Sequence, residues 1–237
     1  MHRSQDPPIR FVLASLAALL VMGVISAIFH LGSIPLAVSV VVIYVAFAIY
    51  GIRIRDHIVW LWLLFGLVTG LVEVVSDCDY FLVIVKQVLI YPSDVPKIGV
   101  SPAYLPFAWG LIFTFIGYIG DWIRQRHSLL KASVLTAALG AVLITLFENL
   151  ARPAGWWYYQ NTPKLIEGPY FVAVFEFLST ILFVLIAWRM ATAKTIKAEY
   201  GWAIAAGVGM GIWMCVAMRF AFWLVGACQG SVIQLPC

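Results

Sequence analysis

Three glutamates lie inside or at the end of long apolar runs, where an ionised side chain is costly: Glu73, Glu148 and Glu176. A carboxyl group buried in apolar surroundings keeps its proton to a higher pH than one in water, and it can then act as a general acid. Such an acid can protonate an alkene or an epoxide, because surrounding aromatic rings stabilise the carbocation and exclude water. The three glutamates therefore predict acid–base chemistry inside an apolar pocket.

The residues near these acids complete a candidate site. We predict that Glu148 or Glu176 donates the proton and that Glu73 or Asp77 receives it back. Arg219 and Glu176 both lie about 10 Å below the same end of neighbouring helices, at 1.5 Å per residue, so Arg219 is predicted to tune the acids or hold a substrate headgroup. The other predicted substrate contacts are Asn149, Trp157, Tyr104 and Tyr170.

Two of these pairings also have a purely structural interpretation. Glu176 and Arg219 are equally compatible with an ion pair that locks two helices together. Glu148 can pair with Arg152, four residues later at the helix end. Both interpretations remain open from the sequence alone.

A metal centre is the second chemical option. His30, Glu73, Asp77 and Glu148 can all reach one end of a helical bundle, and a histidine with carboxylates suits iron, manganese or zinc. The chain has no H-x-x-H, E-x-x-H or C-x-x-C spacing, no nucleotide-binding fingerprint, and no lysine away from the ends of a membrane span for a retinal Schiff base. We therefore predict no metal and no other cofactor, and we interpret Asp77 and Asp79 more simply as loop residues in water.

The elements that position these residues are predicted to be transmembrane helices. The chain of 237 residues is 63% hydrophobic and 11% charged, against about a quarter charged in soluble domains. A helix needs about 20 apolar residues to span a bilayer, and the first apolar run lacks a signal-peptide cleavage site. We predict an all-α membrane bundle, one domain over residues 1–237, with seven spans: Ile9 to Phe29, Ile34 to Ile52, Ile58 to Val75, Ala103 to Ile123, Leu130 to Phe147, Pro169 to Trp188 and Trp202 to Val225.

The basic residues predict the orientation of this bundle, since Lys and Arg concentrate on the cytoplasmic side. Ten flank the helix ends on the side of the N-terminus, namely Arg3, Arg10, Arg53, Arg55, Arg124, Arg126, Lys131, Arg189, Lys194 and Lys197. Four flank the opposite ends, namely Lys86, Lys97, Arg152 and Lys164. We predict a cytoplasmic N-terminus, an external C-terminus and a bacterial inner-membrane location. The net charge of +4 then reflects topology and contact with membrane lipid, and we predict no nucleic-acid partner.

The two predicted external connections are long and rich in aromatic residues. In the first, the apolar segment Tyr80 to Tyr91 is too short to span, and it is predicted to re-enter the membrane or lie at its interface. A glutamate precedes each connection and a Pro-containing helix start follows it, Ser101-Pro102 after Glu73 and Gly168-Pro169 after Glu148. This pattern indicates a possible parallel repeat of helical hairpins.

The chain has four cysteines, and three of them lie on the external side in this topology. Cys78, Cys228 and Cys237 fall outside the membrane, where disulfides and free thiols are both permitted. Cys215 lies inside the last span and is most simply a packing residue.

In size, helix count, acids near one membrane face and Pro-Tyr helix starts, the chain resembles the small polytopic membrane enzymes of isoprenoid metabolism. These are the integral-membrane terpene cyclases, the carotenoid hydratases and the lycopene cyclases. The Pro-Glu-Glu run of the bacterial lycopene cyclase halves is absent here, so the resemblance transfers no catalytic residue. It implies an isomerase or lyase acting on an isoprenoid. The phrases SPAYLPFAWG and ENLARPAGWWYY also read like signatures of a bacterial membrane family without an assigned function.

Three classes of function follow from these observations. The first is an integral-membrane enzyme that transforms a lipophilic, isoprenoid-like small molecule by acid–base catalysis in an outward-facing aromatic pocket. The second is a proton-coupled transporter that uses Glu73, Glu148, Glu176 and Arg219 as a relay or clamp. The third is a non-catalytic subunit or assembly factor of a membrane complex. No particular protein partner is predicted.

Overall fold

The computed structural model describes residues 6–75 and 78–228. Its helices are α1 (Asp6–Phe29), α2 (Ser33–Ile54), α3 (His57–Val75), α4 (Cys78–Tyr80), α5 (Leu105–Arg124), α6 (Leu129–Ala154), α7 (Tyr170–Thr180), α8 (Phe183–Ala191) and α9 (Ile196–Cys228). Seven spans within the described ranges are long and apolar enough to cross a membrane, and α7 with α8 form one of them, Tyr170–Met190. The prediction of a seven-span, all-α bundle is confirmed at this level.

The helices divide into central and peripheral ones. In the apolar stretches of α1 and α2 only 22% of the residues are buried, against 56% in α3. Exposed residues of α1 and α2 such as Ile28, Phe29 and Ile52 are large and apolar. A water-soluble protein rarely exposes so much apolar surface, whereas lipid accepts it. The seven apolar helices therefore indicate a membrane protein.

Glycines bring α3 close to its two main neighbours. A Cβ atom added to Gly66 would lie 2.6 Å from the Cα of Gly110 in α5, and one added to Gly70 would lie 2.6 Å from the Cα of Pro106. On the other side, Gly211 of α9 packs against α3 in the same way. Small residues allow transmembrane helices to approach closely, which buries α3 and the polar residue near its end.

Short strands link the connections between the helices, which an all-helical prediction did not anticipate. They are β1 (Leu89–Ile90), β2 (Lys97–Ile98), β3 (Ser101–Pro102), β4 (Tyr158–Tyr159), β5 (Lys164–Leu165) and β6 (Gly168–Pro169). The β1–β4 pair is antiparallel and joins the two long connections to each other. The β2–β3 hairpin leads into α5, and the β5–β6 hairpin leads into α7.

The two hairpins have the same register and turn conformation. In each hairpin a lysine pairs with a proline of the opposite strand, Lys97 with Pro102 and Lys164 with Pro169. The residue two positions after the lysine adopts a left-handed backbone in both cases, with φ 61° at Gly99 and φ 62° at Ile166. A left-handed conformation is costly for a branched side chain, so Ile166 is held in place by the strands around it.

The segment between α3 and β1 packs against the bundle. After α4 it forms a π-helical turn, Phe81–Val85. Leu82 and Leu89 are 1% and 2% exposed, whereas Ile84 and Val85 face outward. The segment thus has a buried face and an exposed face, both apolar, and its buried face covers one end of the helices.

One expectation about the cysteines is wrong. Cys215, interpreted from the sequence as a packing residue, is disulfide-bonded. It is buried within α9, at 6% exposure. The side chains of Cys78 and Cys228, and all of Cys237, lie outside the described part of the molecule.

Candidate functional site

A cavity lies within the bundle, at the end that carries the strand pairs. It contains about 1030 Å³ of empty space, open solvent at its mouth included, and most of its lining is aliphatic or aromatic. Its lining includes four acidic residues: Glu73, Asp79, Glu148 and Glu176. The described lining contains no lysine, arginine or histidine. The cavity is therefore apolar, acidic and without an internal counter-charge.

Four different helices supply these acids. Glu73 lies near the end of α3, Asp79 in α4, Glu148 in the last two turns of α6 and Glu176 in the middle of α7. Their exposed fractions are 2%, 5%, 8% and 1% respectively. Each carboxyl group lies within electrostatic reach of at least one other. The structure thus brings together three predicted catalytic residues and one that the sequence interpretation had placed in water.

Asp79 is the residue that the sequence interpretation missed. Its carboxylate accepts hydrogen bonds from the Ser101 hydroxyl at 2.6 Å and the Tyr91 hydroxyl at 2.9 Å, and it interacts with the neighbouring Glu73 carboxyl. Burial raises the pKa of Asp79, and the hydrogen bonds from Ser101, Tyr91 and Glu73 oppose that rise. The expectation of a solvated loop residue is wrong because the apolar segment after it folds onto the bundle. The apolar run that follows Asp79 was the available signal.

Glu148 forms a different set of contacts from the one predicted. Its Oε2 accepts a hydrogen bond from the Trp157 indole N–H at 2.7 Å, and it also interacts with the Tyr159 hydroxyl. The predicted pair with Arg152 does not form, because Arg152 donates to Glu167 at 3.1 Å outside the cavity. Burial raises the pKa of Tyr159 well above its ordinary value, and the negative charge of Glu148 makes a smaller contribution in the same direction. Tyr159 therefore remains a hydrogen-bond donor.

Four buried polar atoms at the cavity have no hydrogen-bond partner among the described residues. Two are carboxyl oxygens, Oε2 of Glu73 and Oε2 of Glu176. The other two are donors, namely the hydroxyl of Tyr104 and the indole nitrogen of Trp156. All four residues line the cavity. Because buried polar groups normally have partners, this concentration is typical of a site that binds a ligand.

Arg219 lies away from the site predicted for it. It is exposed on α9, and its guanidinium lies over the ring of Phe81, 5.5 Å from the centroid. The preceding residue, Met218, lines the cavity. Successive residues on a helix are about 100° apart, so Arg219 points away from the cavity. The ion pair of Arg219 with Glu176, one of the two interpretations that the sequence left open, is therefore absent from the described structure.

Two of the other predicted substrate contacts, Tyr104 and Trp157, line the cavity. The remaining two, Asn149 and Tyr170, do not. Asn149 instead holds the second hairpin, since its Oδ1 accepts from the backbone N–H groups of Glu167 at 2.9 Å and Gly168 at 3.0 Å. Tyr170 begins α7 and is 44% exposed. The predicted proton acceptor Asp77 lies outside the described residues.

The histidine considered for a metal site contacts backbone instead of the acids. The Nδ1 atom of His30 lies 2.6 Å from the carbonyl oxygen of Pro153. In the described ranges no group of three or more His, Cys, Asp or Glu side chains is arranged to hold a metal ion.

Fold and cavity together define a polytopic membrane protein with a buried acidic cavity. Residues 77–225 match the family described as "Domain of unknown function (DUF6989)". The match covers more than half of the chain, so the chain belongs to this family. It includes Asp79, Glu148 and Glu176, whereas Glu73 precedes it. No curated protein and no solved structure matches the chain.

Proposed function

We propose that this protein is an integral-membrane enzyme that transforms a lipophilic substrate by carboxyl acid–base catalysis. The observation that supports this proposal is the set of four buried carboxyl groups in one apolar cavity whose described lining has no basic residue. A carboxyl group in such surroundings is stable in its protonated form and can donate that proton to a substrate. The large aliphatic and aromatic lining favours a substrate that is itself mostly hydrocarbon.

Hydrogen bonding distinguishes the acids that are suited to donate a proton from those suited to accept one. Asp79 and Glu148 each accept hydrogen bonds from neighbouring side chains, which stabilises the carboxylate form. Glu73 and Glu176 each have an oxygen without a partner among the described residues. We assign the proton donor to Glu73 or Glu176 and the acceptor to Asp79 or Glu148. This exchanges the roles predicted for Glu73 and Glu148 and gives Asp79 the role predicted for Asp77.

The proposed reaction balances without a cofactor. The donor carboxyl group transfers its proton to an alkene carbon or an epoxide oxygen, and a carbocation forms on the substrate. After rearrangement or ring closure, the cation loses a proton to the second carboxylate, and proton exchange between the acids restores the starting state. Rings of the lining, among them Trp109, Phe115 and Phe175, stabilise the positive charge through their faces. An isoprenoid, which is rich in alkenes, is the substrate class we propose.

A proton-coupled transporter is the second candidate. The four acids form a connected series, because Glu73 interacts with Asp79 and Glu176, and Glu148 interacts with both of those residues. Such a series can pass a proton between its members. The cavity lies at one end of the bundle, however, whereas carriers usually bind their substrates near the membrane midplane.

We also propose a topology and a duplication for this bundle. The distribution of Lys and Arg supports a cytoplasmic N-terminus, an external C-terminus and an outward-facing cavity in a bacterial inner membrane. The matching hairpins support a repeated unit of helix, hairpin and helix, formed once by α3 and α5 and once by α6 and α7.

Mass spectrometry of lipid extracts tests the enzymatic proposal. Cells that express wild type, Glu73→Gln, Glu176→Gln or the control Glu199→Gln are compared, with expression level and thermal stability measured in parallel. Removal of a general acid costs about 10²–10⁴-fold in rate, so we expect a lipid product to disappear in at least one of the first two variants while the protein stays folded. Glu199 lies at the opposite end of the bundle, where its Oε2 is 2.7 Å from Nε2 of His57. The Glu199→Gln variant should therefore keep the product.

Unchanged lipids in all folded variants would contradict catalysis. Proton-coupled uptake in liposomes, abolished by the same two substitutions, would then support the transporter. The two outcomes separate the candidates because the enzyme changes a covalent structure and the transporter does not.

A further inference from the structure

The acids of the cavity lie together with no basic residue in the described lining. Of the described acids outside the cavity, three have basic partners, since Glu167 pairs with Arg152, Asp121 with Arg124 and Glu199 with His57. The polar side chains that line the cavity with the four acids are tyrosines and tryptophans. A positive charge brought in by a ligand would therefore meet several uncompensated acceptors.

We propose that the cavity binds a lipophilic amine, whose ammonium group pairs with Glu73 and Glu176 and whose apolar body contacts the aromatic lining. This inference names a ligand class for the proposed catalytic cavity, and it rests on that proposal only for the location of the site.

Two unpartnered carboxyl oxygens in the cavity support the binding of a cation. Oε2 of Glu73 and Oε2 of Glu176 are buried acceptors without a partner among the described residues, on side chains that are 2% and 1% exposed. Both side chains line the same cavity, and Glu176 is close enough to Glu73 for electrostatic interaction. An ammonium group has several N–H donors and can bond to more than one acceptor. The cavity thus offers a cation two buried acceptors.

Electrostatics favours a cation over a neutral group at this position. A buried carboxylate without a partner is strongly unfavourable, so in the absence of a cation the acid holds a proton. When an ammonium ion binds, the carboxyl proton is released to solvent, and carboxylate and ammonium form a hydrogen-bonded ion pair in surroundings of low dielectric constant, where the attraction is strong. A hydroxyl group in the same place gains a single neutral hydrogen bond, which is worth less.

The rest of the lining suits the remainder of such a ligand. Trp109, Trp157 and Phe175 line the cavity, and aromatic rings attract a cation that lies over them. The hydroxyl of Tyr104 and the indole N–H of Trp156 are buried donors without partners in the described chain. They can bind an oxygen acceptor elsewhere on the ligand, so the ligand class is an amphiphile with an amine and a long apolar chain.

Two probes with the same hydrocarbon chain test the proposal, farnesylamine and farnesol. Binding is measured on the full-length protein in a neutral detergent at pH 7, by tryptophan fluorescence and by the shift in unfolding temperature. We expect farnesylamine to bind at least about tenfold more tightly than farnesol, which corresponds to roughly 1.4 kcal/mol.

The same titrations on variants show where the preference arises. In Glu73→Gln and Glu176→Gln we expect the preference for the amine to fall to within about twofold, while farnesol binds as in wild type and shows that the cavity is intact. The control Glu199→Gln should keep the full preference, since its carboxylate is remote from the cavity. Equal affinity of wild type for the two probes, or a preference that survives both cavity variants, would overturn the inference.

These results also separate this inference from the proposed catalysis. If amine binding depends on the two glutamates but the protein forms no lipid product, the ligand class is supported and the enzymatic proposal is contradicted. If the protein forms a lipid product but shows no preference for the amine, the enzymatic proposal is supported and the ligand class is contradicted.

Discussion

Contacts of Trp157 and Asp79 show how single side chains determine the hydrogen bonding of the cavity acids. The indole of Trp157 reaches back from the second connection to Glu148, and two hydroxyl groups from the first connection hold Asp79. In both cases the residues of a loop set the hydrogen bonding of a buried acid. Substitutions at these contacts should therefore change stability even though they lie outside the helices.

Trp157→Phe should destabilise the protein by about 1–3 kcal/mol, because the substitution leaves Oε2 of Glu148 without its indole donor in a buried position. The free energy of unfolding by denaturant in detergent measures the effect. Trp223→Phe is the matched control, since Trp223 is 54% exposed and its loss should cost no more than about 0.5 kcal/mol. Equal stability of the two variants would contradict the assigned role of the 2.7 Å contact.

Asp79 should make stability depend on pH. Burial raises its pKa in the folded protein, so the folded state holds the proton more tightly than the unfolded chain. The stability that this proton contributes is fully present below the ordinary pKa of aspartate, about 3.9, and is lost as the pH rises through the folded pKa. Asp79→Asn should therefore lose less stability than wild type as the pH rises above about 4.

Unfolding temperatures across that pH range check this prediction. Tyr91→Phe supplies a second comparison, because it removes a hydrogen bond that lowers the pKa of Asp79. Its loss of stability should extend to a higher pH than in wild type. Identical pH profiles for wild type and Asp79→Asn would refute the titration of Asp79.

At the scale of elements, the contact between α3 and α5 forms one wall of the cavity. Glu73 comes from α3, and Trp109 from α5 borders the same space. The two helices approach at glycines, so their spacing determines how far Glu73 lies from the opposite wall. A side chain added at this contact should disturb both stability and binding.

Gly66→Ala should destabilise the bundle by about 1–3 kcal/mol through overpacking. Its new Cβ would lie 2.6 Å from the Cα of Gly110 and 2.9 Å from the carbonyl oxygen of Trp109, and backbone cannot move aside as a flexible side chain can. Gly209→Ala in α9 is the matched control, because its Cβ would meet nothing within 4 Å. That control should be neutral or gain up to about 1 kcal/mol from helix propensity. Thermal unfolding compares the two, and a neutral Gly66→Ala would show that the helices are not in close contact.

At the scale of the whole molecule, the strand pairs and the cavity lie at one end of the bundle. The connections that carry them contain few basic residues, whereas the opposite connections are rich in them. The orientation of the bundle therefore decides from which side of the membrane the cavity opens.

The proposed topology can be read from epitope tags in two exposed turns, one inserted after Asn161 and one after His127. Exposed turns tolerate insertions well. Expressed in a bacterial host, the tag after Asn161 should be accessible to antibody on intact spheroplasts, and the tag after His127 only after the membrane is permeabilised. The reverse pattern would invert the proposed orientation and turn the cavity toward the cytoplasm.

The sequence by itself determined the membrane architecture. Apolar runs of about 20 residues have no stable alternative to a spanning helix in lipid, so composition and length were enough to place all seven. The same reasoning singled out Glu73, Glu148 and Glu176, because an acid inside an apolar run has to be accommodated by the protein interior.

Only the tertiary structure decided which side chains meet. Arg219 faces outward while its neighbour Met218 lines the cavity, a difference of one helical step that apolar runs on every face of a membrane helix do not reveal. Asp79 enters the cavity because the segment after it folds back onto the helices, and the pairing of β1 with β4 joins loops that are distant in the chain. Such contacts depend on how the spans pack against one another. Hydrophobicity determines which segments lie in lipid, but it does not determine which helices pack against each other.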